Sequence, residues 1–347
     1  MSNILDMFGL NREQLEILYS IEKNLTERDI QNNPKTAATR KKWLEQWLHT
    51  LDDSLYNASE MRVFNEPSLY DAINRIARTS NNKTWFYLVM LEATLFQAYF
   101  PLDEDKDNAK AYSKLKYSRD TEYLKQIATI TGLMKPEYID RYLDTHKKVF
   151  RKISDKSAKA IITSLSILAV TAVAAAIAAI YAGPIAVAIF GKGFELSGAA
   201  LTSTCLAMAG GGAIAMGGLG VAGGIAAIAG GGALLGVAGS GAAAAAVLAF
   251  AKKSPEFTLS QTVKLEVVLR EVMLNAQQDT ESAQAVISRL QSQIRNLQNE
   301  LDRLTKEQEK DKEAIQNLKK SIDILTKAVK DMVVFKSSYE IGFNTAG

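Results

Sequence analysis

Cysteine is nearly absent: Cys205 is the one such residue in 347. No disulfide can close within the chain, which excludes the stapled folds of small secreted proteins. Histidine is almost as scarce, with only His49 and His146. No zinc-protease helix, phosphate-binding loop or nucleophile elbow occurs. The expectation is therefore a protein that is not an enzyme, with no catalytic residues, no cofactor and no resident metal. The net charge of +3 is too small to argue for nucleic acid. Residues 1–10 lack a basic start running into an apolar core, so no secretory signal is expected and the chain starts from a cytosolic pool. The lack with most consequence is of charge itself. Between Ala160 and Ala251 only Lys192 and Glu195 carry one.

A run of about 20 apolar residues is enough for one helical crossing of a bilayer. Ile161, Leu165, Leu168, Val173 and Ile177 lie in a stretch rich in Ile, Leu and Val that ends at Gly183-Pro184. Summed, such residues favour insertion by about 3 to 5 kcal/mol. The half from Val221 to Phe250 is the second strong candidate, with Ile225, Leu234, Leu235 and Val247. The intervening stretch is dominated by Gly and Ala and is marginal as an independent span. Gly220 and Gly224 form one GxxxG and Gly232 and Gly236 another. Such small-residue ridges let helices approach closely in lipid, a glycine-zipper arrangement suited to self-assembly. Lys147, Lys148, Arg151 and Lys152 precede the block, and Lys252 and Lys253 follow it. Basic flanks of this kind are attracted to anionic lipid headgroups.

The polar arms read as helical, giving an all-α protein. In residues 1–152 the apolar positions recur at helical spacing: Leu15, Ile17, Leu18 and Ile21, then Trp43, Leu44, Trp47, Leu48 and Leu51. Pro67 opens a third helix and Trp85–Phe100 reads as a long buried one. An acidic loop follows it, and Gly132 ends the next helix. The helix, the loop and then "YLKQIATITGLMKPEYIDRYL" (Tyr123–Leu143) resemble the tellurite-resistance TerB-like helical domains. The loop here is longer, and the short Asp-Gly turn of that family is absent. The resemblance implies a helical fold linked to membrane-associated stress and defence systems. Its suggestion of a metal in the loop is not carried over. Asp103, Asp105 and Asp107 open like a calcium loop, but Asn108 and Lys114 stand where such a loop needs Gly and Glu.

From Lys252 to Phe335 there is no Gly. Heptad seam positions run without a break through Leu290, Ile294, Leu297, Leu301, Leu304, Ile315, Leu318, Ile322 and Leu325. Only Gln308 and Asp311 are polar in that seam. One continuous helix of about 75 residues would be roughly 110 Å long. The expected divisions are a helical domain (1–152), a membrane-inserting region (153–253), a coiled coil (254–336) and a flexible tail (337–347).

The layout, an apolar hairpin between long helices, resembles alpha-helical pore-forming toxins. It leads to the expectation of a conditional membrane-inserting effector that oligomerises and permeabilises a bilayer, a toxin or cell-suicide defence protein. The alternative is a permanently anchored coiled-coil scaffold or tether without pore activity. Expected partners are the lipid bilayer, further copies of the chain, and a second protein through the coiled coil.

Overall fold

The computed structural model describes residues 10–54, 62–80, 82–99, 106–154, 229–235, 247–248, 251–252, 255–306 and 312–345. Among these the architecture is all-helical, without a strand. Helix α1 (Arg12–Gln31) starts with a reciprocal cap: Asn11 Oδ1 accepts from the Gln14 N–H, and the Asn11 N–H donates to Gln14 Oε1. A short 3-10 turn at Pro34–Thr36 leads into α2 (Ala37–Ser54). Helix α3 (Glu66–Thr79) carries its Pro in the first turn, behind Asn65 as cap.

Helix α4 (Thr84–Leu95) is apolar on every side except for one charge, and a helix of that kind belongs inside a core. It packs against α1, α6 (Thr121–Thr131) and α7 (Glu137–Ile153). The expected continuation of α4 to Phe100 does not occur. Phe96–Tyr99 leave the helix, and Tyr99 takes a left-handed backbone (φ 69). That turn carries Phe96 and Tyr99 onto the stacked pair Trp43–Trp47, with ring centroids 5.4 Å apart for Trp43–Tyr99. It also lets Tyr99 Oη donate to the buried Asp29 at 2.6 Å. Residues 106–112 form a helix, α5 (Lys106–Tyr112), where the sequence reads as acidic loop. Gly132 ends α6 at φ 62, as its position predicts.

Helix α8 (Pro255–Val267) continues as a π-helix over Val268–Ala276. The expected unbroken helix then stops. Gln278 has φ 56, and Asp279 caps the next helix by accepting from the Ser282 N–H. Helices α9 (Thr280–Lys306) and α10 (Lys312–Thr345) pack along each other as an antiparallel hairpin. The seam is therefore filled within one chain: Leu290, Ile294, Leu297, Leu304, Leu318 and Leu325 are buried there, while Leu301, Ile315 and Ile322 are half-buried. The polar pair Gln308 and Asp311 lies outside the described residues. Helix α10 runs on to Thr345, through the region expected as a loose tail.

The transmembrane and pore-forming expectations are corrected. Among the described residues no helix is long and apolar enough to cross a membrane. The stretch Val221–Phe250, expected as a span, is not one helix: Ala229–Leu235 forms a 3-10 turn with left-handed Gly230 and Gly231. Leu234, Leu235 and Val247 are buried in protein, not turned toward lipid. Gly232, expected on a packing ridge, sits in that same turn. Ile161, Leu165, Leu168, Val173, Ile177, Ile225, Gly220, Gly224, Gly236 and Lys253 lie outside the described residues.

Candidate functional site

The 3-10 turn is held by a buried ionic centre built from three helices. Glu92, the single charge of α4, is fully buried. Its Oε1 accepts a 2.7 Å hydrogen bond from the Gly230 N–H, and its Oε2 pairs with Lys264 of α8, also fully buried. Burial lowers the Lys264 ammonium from its ordinary value, against the stabilising charge of Glu92. On the other side lies Glu22 of α1, with neither carboxyl oxygen hydrogen-bonded among the described residues. Loss of water and then the charge of Glu92 raise Glu22 well above its ordinary value. The centre thus sets one carboxyl paired with a lysine beside a second carboxyl that has no such partner among the described residues. It is closed off by Tyr19, whose hydroxyl is pushed up by burial and by both carboxyls.

The turn fits there only as glycine. A Cβ on Gly231 would stand 2.5 Å from Gln261 O and 2.8 Å from the Leu265 backbone, at φ +80. The edge of the Ala/Gly-rich block is therefore seated directly on the backbone of α8.

Both flanks of that block are tied to the C-terminal hairpin. On the near side Lys152, in the last turn of α7, pairs with Asp331 of α10, which also lies 2.9 Å from Arg270 Nη2. Arg270 in turn pairs with Glu266 and stacks on Phe335, 4.3 Å from the ring centre. On the far side Lys252 Nζ donates to Glu300 Oε1 at 2.6 Å. Hydrogen bonds from Arg303 and then Lys252 hold the Glu300 carboxyl at about 2. Asn317 donates to the Lys252 carbonyl at 3.1 Å, and Ser321 to the Ala251 carbonyl at 3.0 Å. So two of the lysines expected on lipid headgroups, Lys152 and Lys252, engage carboxylates of the same chain. Lys147, Lys148 and Arg151 remain exposed on α7.

His146 does not belong to the basic face of α7. It is buried, stacks on Phe150, and is lowered to about 3 by burial and the charges of Lys264 and Arg119. His49 is exposed on α2. Glu271 of the π-helix accepts from Arg141 at 2.7 Å and Thr145 at 2.6 Å, both on α7. Among the described residues no three His, Cys, Asp or Glu side chains form a group that could hold a metal ion.

Sequence reasoning passes over Glu22, Glu92 and Lys264. One signal does point to Glu92: it is the lone charge in an apolar helix, TWFYLVMLEATL. Lys264 gives a weaker signal, since α8 mixes polar residues with the Val263 and Leu265 that flank it. Comparison with family models, characterised proteins and solved structures finds no match for this chain.

Proposed function

We propose that the chain is a conditional effector that works by binding and not by catalysis. Its helical body holds the Gly230–Gly231 turn in place, and release of that turn hands the apolar residues beside it to an acceptor. The observation that carries this reading is the seat of the turn at Gly230. A buried carboxylate, Glu92, is spent on one backbone N–H and one buried lysine, deep among apolar side chains. Buried ion pairs are poor sources of stability but enforce one arrangement over others. The acceptor that fits the exposed Lys147, Lys148 and Arg151 is the surface of an anionic bilayer, reached from a cytosolic pool. Neither a crossing helix nor a pore is part of this reading.

Flotation of the full-length chain with phosphatidylserine-rich vesicles tests it. The wild type is expected to stay below the vesicles, and Glu92→Ala to rise with them. A folded Glu92→Ala that ignores every vesicle composition defeats the reading.

A second reading is a scaffold that engages another protein through the end of α10. Val334 and Ile341, seven positions apart on that helix, are 61% and 66% exposed. Under it, Val334→Glu abolishes a protein complex and leaves vesicle behaviour unchanged.

A further inference from the structure

Four charged side chains from three parts of the fold meet where α7 ends. Lys152 comes from α7, Asp331 from α10, and Glu266 and Arg270 from α8 and the π-helix that continues it. The arrangement is uneven. Asp331 receives Lys152 and lies beside Arg270, whereas Glu266, among the described residues, takes one cation, Arg270 on Oε1, and otherwise faces the Asp331 carboxyl. Among the described residues Glu266 Oε2, Asp331 Oδ2 and Arg270 Nε are buried and make no hydrogen bond. Glu271, next along the helix, offers no help, because Arg141, Thr145 and Asn275 occupy its carboxylate. Phe335 covers the Arg270 guanidinium and keeps water from that side.

A buried carboxylate with a bare oxygen is far costlier ionised than neutral. We propose that these residues form a proton-operated latch: Glu266 holds a proton while α7 and α10 are docked, and losing it loosens both helices from the π-helix. The inference rests on the reading above that the helical body holds a closed form. Burial, opposed by Arg270 and reinforced by Asp331, pushes Glu266 up to about 8 from an ordinary 4.5. The docked form thus binds the proton more tightly than the open form. Between those two values each rise in pH favours opening, by up to about tenfold per pH unit for one proton. Above the upper value the effect is complete.

Lys152 lies two positions before Ser154, the C-cap of α7. Loosening the latch frees the C-terminal turn of α7 without touching the Glu92 seat.

Hydrogen exchange of the full-length chain, corrected for intrinsic base catalysis, tests the latch from about pH 5 to about pH 9. Peptides covering 149–154 and 329–335 are compared with a reference peptide in α1. Protection at the latch is expected to fall by up to about tenfold per unit and level off near the Glu266 value, with α1 unaffected. Glu266→Gln, a neutral copy of the acid, is expected to remove the slope. Protection at the latch that does not change with pH overturns the proposal, as does a parallel fall in α1 or a slope that survives Glu266→Gln. The wild-type contrast between latch and α1 decides the matter even where Glu266→Gln does not fold. The readout is local protection and not lipid capture, so the latch can fail while the Glu92 seat stands.

Discussion

Glu92 accepts a hydrogen bond from the backbone N–H of Gly230, 138 positions further along the chain, at 2.7 Å. The same carboxylate neutralises Lys264, so one side chain ties three segments together. Removing its charge alone strands a buried ammonium. Glu92→Gln is expected to lower unfolding free energy by about 3 to 5 kcal/mol in urea titrations. Glu92→Leu combined with Lys264→Met is expected to regain most of that loss, because an apolar pair of similar volume carries no buried charge.

The two left-handed glycines outside a clash and inside one make a paired test. Gly132 has nothing within 4 Å of a built Cβ, so Gly132→Ala costs only the backbone strain, about 1 kcal/mol. Gly231→Ala adds a collision with the Gln261 carbonyl and the Leu265 backbone, for a total of about 3 kcal/mol or more. Thermal melts of the two variants should separate by several degrees. Equal shifts would mean that the turn is not seated on α8.

His146 sets an acid limit. Its folded value of about 3 lies below the ordinary 6.5, so the unfolded chain takes up the proton first as pH falls. Stability is fully present above the upper value and declines between the two. His146→Phe is expected to flatten that part of the pH–stability curve measured by circular dichroism.

Truncations along the hairpin distinguish a seam filled by one chain from one shared between chains. Leu290→Ala and Leu318→Ala, at buried positions, are expected to cost about 2 to 4 kcal/mol. Leu301→Ala and Ile322→Ala, at half-buried positions, should cost clearly less. Equal losses at all four, together with concentration-dependent melting, would show another copy covering the half-buried side.

Helices such as α3, α6 and α7 are legible because each buries one face and shows the period plainly. Trp43 and Trp47, Ile73 and Ile76, and the stop at Gly132 are all where the spacing puts them. The end of α4 is not legible, since Phe96–Tyr99 are as apolar as the helix and leave it only to reach Trp43 and Asp29. A heptad seam says which side chains will be covered but not whose helix covers them. The hairpin and the break at Gln278–Asp279 therefore stay hidden, although Asp279 ahead of Thr280-Glu281-Ser282 is a recognisable cap. Charge depletion in the Ala/Gly-rich block is equally satisfied by lipid and by a protein core. For Leu234 and Leu235 the core wins, because the Gly230-Gly231 turn breaks the helix and seats them on α8; Val247 is buried in protein as well. The ionic centre is least legible of all, because its members are scattered along the chain and only Glu92, the lone charge of an apolar helix, stands out by itself.

That scattering sets a timetable for biogenesis. Glu92 leaves the ribosome 172 residues ahead of the lysine that neutralises it, a delay of roughly 10 to 35 seconds at ordinary translation speeds. Throughout that interval the emerging N-terminal helices lack their counter-ion and the surface of α8 against which they close. The nascent polypeptide has to wait, half-assembled, until its final third has been made.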